Sequence, residues 1–316
     1  MMILKSRQYN FKDSGLTFAP KPVIMEDNVI ECRHLTHYYG KRRIYSDLNF
    51  SVSRGTITGL LGKNGTGKTT TINILMGYLK PTAGCCTVFG EDASSISPLT
   101  RARIALLLEG HVQYSFMTIS QIEKFYAGFY PKWNRDAYYE LMSRLKVAPG
   151  QRISNMSNGQ KSQVALGLIL AQNADLLVLD DFSLGLDPGY RRLFIEYLRD
   201  YAKSEGKTVF MTSHIIQDVE KLVDDCIIMD YGRILFHDKI STLTGSLLRY
   251  TYTGAAPHAS EKILHPSEYR GRSELYSFAG PEEIRSLLDA EGIGAENLKA
   301  EKMNLEDAFI GLTGKY

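Results

Sequence analysis

The hydrophobic and polar positions divide the chain into three parts. Residues 1–27 mix polar, aromatic and proline residues without periodicity, which predicts an N-terminal extension. From Val29 onward, short β-prone runs alternate with turn residues to about residue 59, and strand and helix patterns then alternate to about residue 240. That alternation predicts an α/β domain over residues 28–240, in which helices cover a parallel sheet.

Residues 110–160 interrupt this alternation with helical patterns that have no apolar strand between them. Ser120 and Glu123 match the S-x-x-E capping box that opens a helix, and Pro131 is predicted to end it. Apolar residues recur with helical spacing in two sets, namely Ile122, Phe125, Tyr126 and Phe129, and then Tyr138, Leu141, Met142 and Leu145. We therefore predict a helical insertion between two strands of the sheet.

The pattern changes again in residues 241–316. The segments LLRYTYTG and ELYSFAG are typical of short strands, PEEIRSLLDAEG of a helix, and NLEDAFIGL of a last short helix. Mixed elements over roughly 75 residues predict a small α+β accessory domain at the carboxyl end.

Composition narrows the class of protein. The chain has 316 residues, of which 44% are hydrophobic and 23% charged, as in ordinary globular proteins. Lys+Arg 37 against Asp+Glu 35 gives a net charge of +2, too balanced to indicate a nucleic-acid-binding surface. The four cysteines form no C-x-x-C pair, which suits a reducing compartment. No apolar run approaches the ~18 residues of a membrane span, and the N-terminus lacks the apolar core of a secretory signal. Composition thus predicts a soluble intracellular protein.

A glycine-rich segment gives the clearest chemical signal. Residues 62–69, GKNGTGKT, match G-x-x-x-x-G-K-[ST] between a β-prone run and a helical pattern, and we call them the phosphate loop. Its glycines let backbone N–H groups face a phosphate, and the next helix points its positive end there. Lys68 is expected to reach the β- and γ-phosphates and Thr69 to join a Mg²⁺ shell. The predicted nucleotide contacts are Gly62, Asn64, Gly65, Gly67, Lys68, Thr69 and Thr70.

Two carboxylates follow a second apolar run. Leu176–Leu179 is continuous in apolar residues and is followed by Asp180 and Asp181. A buried parallel strand places such acids at its carboxyl edge, where ligands bind. We expect Asp180 to hold Mg²⁺ through water and Asp181 to orient or polarise an attacking water.

Between these motifs, residues 155–160 read NMSNGQ directly before a helix-forming run. Here the chain resembles the ATP-binding cassette (ABC) ATPases, whose signature reads L-S-G-G-Q. The segment 185–188, GLDP, is similar to the D-loop of that family, and His214 to its switch histidine. Tyr39 is similar to the aromatic residue that stacks on adenine, with the adjacent Tyr38 as the alternative. The resemblance covers residues 28–240.

The resemblance implies a P-loop core with an antiparallel β subdomain and a helical subdomain. It also implies that two cassettes enclose two ATP molecules, so that the signature of one subunit contacts ATP held by the other. Ser157, Gly159 and Gln160, together with Asp187 of the D-loop, are therefore counted among the nucleotide-binding residues. His214 is expected to contact the γ-phosphate and to position the water.

Three residues depart from the family pattern. The water-activating residue is usually Glu, but Asp181 is one methylene shorter, so its carboxylate falls about 1.5 Å back and the rate can drop ~100-fold. The glutamine that senses Mg²⁺ is replaced by Glu109, which we expect in the catalytic site and the Mg²⁺ shell. Asn158 replaces the first glycine of the signature, a mild change because Asn tolerates left-handed backbone geometry.

We therefore predict slow or partner-dependent hydrolysis. The chain forms either a homodimer with two weak sites or a heterodimer with a second cassette that contributes Glu. A small backbone adjustment that keeps the rate ordinary is the alternative.

A transporter built on this chain needs a separately encoded polytopic membrane subunit. We predict that partner and a second nucleotide-binding subunit, and a peripheral location on the cytoplasmic face of the inner membrane. Tyr114, Phe116 and Trp133 are candidates for the groove that grips the membrane subunit, whereas the periodic aromatic residues are expected in the subdomain core. The segments FYAGFYPKWN and NLEDAFIGLTG resemble ATPases of bacterial exporters of drugs, peptides or polysaccharides. The alternative is a soluble ABC ATPase that acts in cofactor or complex assembly.

Overall fold

The computed structural model describes residues 28–108, 114–182 and 186–314, so the predicted N-terminal extension, Glu109 and Gly185 lie outside the described residues. The strands in these ranges are β1 (Asn28–Tyr39), β2 (Arg42–Ser53), β3 (Ile57–Gly62), β4 (Ala83–Val88), β5 (Glu91–Asp92), β6 (Ile104–Leu107), β7 (Leu176–Leu179), β8 (Thr208–Thr212), β9 (Asp225–Asp230), β10 (Arg233–Lys239), β11 (Leu248–Thr253), β12 (Leu264–Tyr269), β13 (Arg272–Ser277) and β14 (Glu296–Lys302). The α-helices are α1 (Lys68–Leu75), α2 (Pro98–Arg101), α3 (Ile119–Ala127), α4 (Arg135–Arg144), α5 (Asn158–Ala171), α6 (Pro188–Ser204), α7 (Ile216–Leu222), α8 (Ile240–Ser246), α9 (Pro281–Ala290) and α10 (Leu305–Thr313). None of these helices is both long and apolar enough to cross a membrane.

A six-stranded sheet in the order β10-β9-β3-β8-β7-β6 forms the centre of the fold. Its strands run parallel except for β10, which pairs antiparallel with β9. All residues of β7 and β8 are buried, as in strands covered on both faces. The phosphate loop begins at the end of β3, Asp180 follows β7, and His214 lies just beyond β8. Because these three strands are neighbours, the predicted site residues converge at one edge of the sheet.

An antiparallel sheet in the order β2-β1-β4-β5 packs beside the central sheet. Gly40, at φ +59°, turns the chain from β1 into β2. Tyr45 of this sheet shares a hydrophobic cluster with Ile72 of α1 and Phe210 of β8. This packing brings the end of the β1–β2 hairpin, where Tyr39 lies, to the phosphate loop.

The helical insertion forms as predicted, but its first helix begins differently. Thr118 and Gln121 form the capping box of α3, because the Gln121 N–H donates to Thr118 Oγ1 (3.2 Å) and the Thr118 N–H donates to Gln121 Oε1 (2.9 Å). The Ser120–Glu123 assignment was therefore wrong. Glu123 is buried instead, and its Oε1 accepts a hydrogen bond from the Trp133 indole at 2.9 Å. The helix ends at Ala127, before Pro131.

The aromatic residues of the insertion are distributed differently from the prediction. Ile122 is buried, but Phe125 and Phe129, which were predicted in the core, are 38% and 67% exposed. Trp133 was a candidate for an exposed groove, yet it packs against the main core and donates to Glu123. The second helix agrees with the prediction, because Tyr138, Leu141 and Met142 of α4 are buried.

A four-stranded antiparallel sheet in the order β12-β13-β11-β14 follows β10 and α8. Helix α9 covers one face of this sheet, and the two enclose a separate small core of Tyr250, Tyr252, Ile263, Leu275, Ile284 and Leu288. The strands β11 and β13 and the helices α9 and α10 were predicted. The mostly exposed β12 and β14 were not, because edge strands with few buried positions lack an apolar alternation.

Helix α10 lies apart from this small core and packs on the main one. Leu305, Phe309 and Leu312 of α10 belong to the same hydrophobic cluster as Val219 and Leu222 of α7. The segment after residue 240 is thus joined to the cassette through an apolar helix face.

Candidate functional site

Two glycines set the shape of the phosphate loop. Gly65 and Gly67 have φ angles of +81° and +105°, which favour glycine. A β-carbon on Gly67 would also come within 2.7 Å of Ile44 and Tyr45. Gly67 caps α1, so the first N–H groups of that helix and its positive end face the loop. This is a cradle for an anionic group such as a phosphate.

The Lys68 side chain is hydrogen-bonded to backbone carbonyl groups of the phosphate loop. Its Nζ donates to the carbonyl oxygens of Gly62 at 2.8 Å and Lys63 at 3.2 Å. Burial lowers the pKa of Lys68, while the charges of Asp181 and Asp180 act in the opposite direction. Contact between this ammonium and a phosphate would require it to give up these carbonyl partners. Thr69, beside it, is exposed at the start of α1.

Thr212 connects the two carboxylate residues. The Asp180 side chain is 2% exposed, and its Oδ1 accepts a hydrogen bond from the Thr212 hydroxyl at 2.6 Å. The same hydroxyl oxygen accepts a bond from the backbone N–H of Asp181 at 3.1 Å. The end of β7 is thereby fastened to the end of β8, with the Asp180 carboxylate at the ligand edge of the sheet.

Asp181 contacts His214. Its backbone has φ +43°, a left-handed conformation that Asp adopts more readily than most residues. The Asp181 Oδ1 accepts a bond from the His214 backbone N–H at 3.0 Å and lies 2.8 Å from His214 Nδ1. A carboxylate and an imidazole in contact beside a phosphate site provide the groups that orient water and accept a proton.

The predicted adenine-stacking residue lies at the tip of the β1–β2 hairpin. Tyr39 is 50% exposed, and its ring stands at 82° to the His37 ring with centroids 4.8 Å apart. Burial lowers the pKa of His37, and neither of its ring nitrogens has a hydrogen-bond partner among the described residues. Tyr38 points to the other face of the strand and is 39% exposed.

The signature residues begin α5. The Ser157 hydroxyl oxygen accepts the Gln160 N–H at 3.2 Å, and Gln160 Oε1 accepts the Ser157 N–H at 3.1 Å. Gly159 packs on the Tyr190 ring, which occupies the space that a β-carbon would need. Within the described ranges, no hydrogen bond or ion pair joins Ser157, Gly159 or Gln160 to the phosphate loop. Asp187 is exposed at the start of α6.

The comparisons with known proteins agree with this arrangement. The family model of ABC transporters matches residues 45–183. The chain is 30% identical over 299 residues to Nod factor export ATP-binding protein I of Rhizobium etli, which covers 90% of this chain and 93% of the relative. The protein of the same name in Rhizobium meliloti is 29% identical over 308 residues, covering 93% and 91%. The chain belongs to the ATP-binding subunits of the ABC transporter family.

Solved structures confirm the fold prediction for this ABC ATPase. The ATP-binding subunit of an ABC transporter superposes with a TM-score of 0.60 at 24% identity, covering 69% of this chain and 92% of that one. CbiO1 of Clostridium perfringens has a TM-score of 0.60 at 23% identity and covers 70% and 92%. The chain is an α/β protein with a P-loop core, an antiparallel sheet, a helical insertion and a further α+β portion. As a member of this family it binds nucleotide and acts as an ATPase.

The structure brings together most of the predicted site residues of this ABC ATPase. Asp180, Asp181, His214 and the phosphate loop converge, whereas the signature residues stand apart. Glu109, predicted for the Mg²⁺ shell and the catalytic site, lies outside the described residues.

Three further residues of this ABC ATPase contribute to the site but were not predicted. Thr212 was overlooked because a threonine at a strand end has no distinctive spacing. Arg42 places its guanidinium 3.3 Å from the position of a β-carbon on Gly65, and the basic run at 41–43 beside Tyr39 was the available signal. Lys63 occupies a variable position of the loop motif, so the motif gives it no role.

Proposed function

We propose that this ABC ATPase is the motor subunit of an exporter, in which two cassettes close around MgATP and drive a separately encoded membrane subunit. The convergence of the phosphate loop, Asp180 and the Asp181–His214 pair at one sheet edge carries the proposal. Export is supported by the relatives, which are named Nod factor export ATP-binding proteins. Their match covers 90% of the chain or more, so it extends past residue 240 into the accessory portion.

The donor set at the sheet edge fits Mg²⁺. Thr69 offers an exposed hydroxyl at the start of α1, and Asp180 offers a buried carboxylate at the end of β7. Mg²⁺ in nucleotide sites takes one or two protein oxygens and completes its shell with phosphates and water. The described residues contain no cluster of three His, Cys, Asp or Glu side chains that could hold a metal alone, so the nucleotide supplies the remaining ligands. Glu109 stays a predicted member of this shell.

Asp181 and His214 are assigned to the attacking water. Mg²⁺, when bound, would neutralise charge on the phosphates; the role of Asp181 would be to orient the water and accept its proton. Asp181 is one methylene shorter than the usual Glu, so the carboxylate falls about 1.5 Å back, a shortfall of the size that costs ~100-fold in rate. We infer slow or partner-dependent hydrolysis, in which a second cassette or a membrane subunit completes the site.

The exposed signature supports a two-cassette arrangement. The Ser157 oxygen accepts the Gln160 N–H, while its own O–H donates no hydrogen bond to a described residue and can therefore donate to a phosphate across the interface. The positive end of α5 adds a favourable dipole for that anion. We propose Asp187 for the same interface, and we assign Tyr39 to the adenine ring because it is the more exposed of the two hairpin tyrosines.

An apolar groove supports a membrane subunit as the partner. The groove has a volume of about 580 Å³ and is lined by residues of β6, α2, α3 and α5 and by Met76 and Tyr78 just after α1. Its apolar lining includes Tyr78, Leu106, Tyr126, Phe129, Tyr130 and Leu168. Beside it, the rings of Tyr114, Phe116, Phe125 and Phe129 form a connected and exposed aromatic ridge. Such a surface is suited to an apolar helix of a partner protein. It supports a peripheral location of the ATPase at the cytoplasmic face of the membrane.

Steady-state MgATP hydrolysis by the purified chain tests the proposal, with Lys68→Ala as the blank. Turnover that rises steeply with protein concentration supports a homodimer. Binding of ATP without turnover would indicate that a second cassette or the membrane subunit supplies a missing catalytic group. Failure of the wild-type chain to bind ATP would overturn the proposal.

A further inference from the structure

The phosphate loop is in contact with the far end of the chain. Lys63, the second residue of the loop, donates from Nζ to the backbone carbonyl oxygen of Thr313 at 2.7 Å. Both residues are buried, with Lys63 9% and Thr313 5% exposed. Thr313 is the last residue of α10, and Gly314 follows it with φ +75°. A buried charged hydrogen bond therefore joins the ATP site to the C-terminal helix.

This contact pairs the carboxyl end of a helix, which carries a partial negative charge, with a cation. The last carbonyl groups of an α-helix have no partner within the helix, and the helix carries a partial negative charge there. The Lys63 ammonium supplies both a donor and a positive charge at that end. Hydrogen bonds that involve a charged group are stronger than neutral ones, and an unpaired partner left behind in a buried place is costly.

Lys63 is also connected to the lysine that binds phosphate. Its carbonyl oxygen accepts hydrogen bonds from Lys68 Nζ at 3.2 Å and from the Thr66 hydroxyl at 2.9 Å. When Lys68 turns to a phosphate, the backbone at residue 63 loses one of these bonds. The side chain of the same residue, held by Thr313, then restrains the loop.

The other end of α10 contacts the segment that follows His214. Glu220 of α7 accepts a bond from the Leu305 N–H at 2.9 Å, and Gln217 Nε2 donates to Glu306 at 3.1 Å. Leu305 and Phe309 are packed with Val219 in the main core. Since α7 begins at residue 216, α10 spans from the His214 side of the site to the phosphate loop.

The C-terminal sheet, formed by β11 to β14, contacts the same helix. The Tyr276 ring of β13 packs against Gly311, where a β-carbon would collide with it. His265 Nε2 of β12 lies 3.1 Å from the carbonyl oxygen of Leu312, next to the residue that Lys63 binds. A shift of this sheet relative to the cassette would therefore be transmitted to α10.

We propose that α10 is a positioning element of the ATP site, and that Lys63 is the residue through which it sets the conformation of the phosphate loop. The inference rests on ATP binding by that loop. The proposal assigns a function to the residues after 240, because a change in the C-terminal sheet would alter nucleotide affinity through the Thr313 carbonyl. The effect falls on binding, so KM for ATP changes more than kcat.

The first test replaces Lys63 with Met, which keeps most of the chain length but not the charge. We expect the affinity for a fluorescent ATP analogue, measured without Mg²⁺, to fall about 10- to 100-fold, the effect of losing one charge-assisted hydrogen bond. Lys63→Arg should recover part of the loss. Lys80→Met, at an exposed lysine beyond α1, is the matched control and should bind like the wild type.

A second variant separates positioning from direct contact with ATP. A stop codon in place of Ile310 removes the last turn of α10 with the carbonyl acceptor, puts the new terminal carboxylate about 6 Å away along the helix axis and leaves Lys63 intact. Thermal melting reports whether the shortened chain is folded. If Lys63 acts through α10, the losses from the two changes are not additive when they are combined. Additive losses, or wild-type affinity in Lys63→Met, would overturn the inference. A wild-type chain that binds no ATP analogue, by contrast, would refute the function proposed above.

Discussion

A single carboxylate oxygen of Asp181 makes both contacts with His214. The Asp181 Oδ1 lies 3.0 Å from the His214 backbone nitrogen and 2.8 Å from Nδ1. Because a carboxylate oxygen offers about two lone-pair directions, these contacts use the capacity of Oδ1. This leaves Oδ2 available to a water molecule, and we propose that it is the oxygen that orients the attacking water. A longer side chain at this position would advance that oxygen without a change in the fold.

Asp181→Glu should raise the turnover of MgATP by about 10- to 100-fold, because it restores the reach that the shorter side chain lacks. Asp181→Asn keeps the size but removes the basic oxygen, so it should abolish turnover while ATP still binds. Steady-state hydrolysis and ATP-analogue affinity measure the two effects separately. Equal turnover in the wild type and the Glu variant would show that Asp181 already reaches the water.

Thr212→Val should weaken both stability and catalysis. The substitution preserves shape but removes the hydroxyl that donates to Asp180 and accepts from the Asp181 N–H, which leaves buried polar groups unpaired. We expect the free energy of unfolding to fall by about 1–3 kcal/mol and KM for Mg²⁺ to rise. Urea denaturation and a Mg²⁺ titration of hydrolysis provide the measurements. Thr212→Ser retains the hydroxyl and should restore most of both properties.

The affinity for ATP should fall as the pH rises. Burial lowers the pKa of Lys68 in the nucleotide-free chain. Above that lowered pKa the amine is neutral, and binding of phosphate must then be accompanied by proton uptake, which weakens the apparent affinity. The decline should therefore begin below the ordinary lysine pKa of about 10.4. ATP-analogue titrations between about pH 7 and 10 measure it.

Lys68→Arg is the control for this pH dependence. Its guanidinium stays charged throughout the range, so its affinity, though weaker at neutral pH, should remain nearly constant. A parallel decline in both proteins would assign the effect to another group.

Phe129→Asn should uncouple the ATPase from its membrane partner. Phe129 is 67% exposed and lies both in the groove lining and on the aromatic ridge. Loss of one central aromatic contact commonly costs 2 kcal/mol or more, about 30-fold in affinity. We expect unchanged ATP binding and unfolding temperature, but a large loss of co-purification with detergent-solubilised membranes.

The control for Phe129→Asn is Tyr231→Asn. Tyr231 is 81% exposed in the turn after β9, away from the groove, and its φ of +37° suits Asn. Equal retention of the two variants in the membrane fraction would exclude the groove as the docking surface. A wild-type chain that never enters that fraction would favour a soluble assembly partner.

Local sequence patterns were sufficient to predict those site residues whose positions depend on the conformation of the nearby backbone. The phosphate loop and Asp180 were predictable because positive-φ glycines and a buried strand that ends in an acid each leave a local pattern. The order of the strands then brought these patterns to one edge. The capping box of α3 was misplaced by two residues, since Ser120–Glu123 and Thr118–Gln121 have equivalent spacing and only the hydrogen bonds of the folded chain distinguish them.

Contacts between distant parts of the chain were not predictable in this way. Phe125 and Phe129 fit a helical apolar stripe, but Phe125 on α3 and Phe129 just beyond its end are exposed, so periodicity did not separate a core face from an exposed face. The bonds from Thr212 to Asp180 and from Lys63 to Thr313 join residues 32 and 250 positions apart. Neither residue type is distinctive, and both roles arise only from tertiary structure.

The contact between Lys63 and Thr313 also has a consequence for biosynthesis. The two residues are separated by 250 positions, a stretch that takes roughly 10–50 s to translate at ~5–20 residues per second. During this time the phosphate loop has been made, but its buried lysine has no helix end to bind, and Val219 and Leu222 lack the apolar face of α10. The nascent chain therefore acquires the bond between Lys63 and Thr313 only after α10 has been made. Truncated translation products would carry an intact P-loop motif but an incompletely positioned nucleotide site.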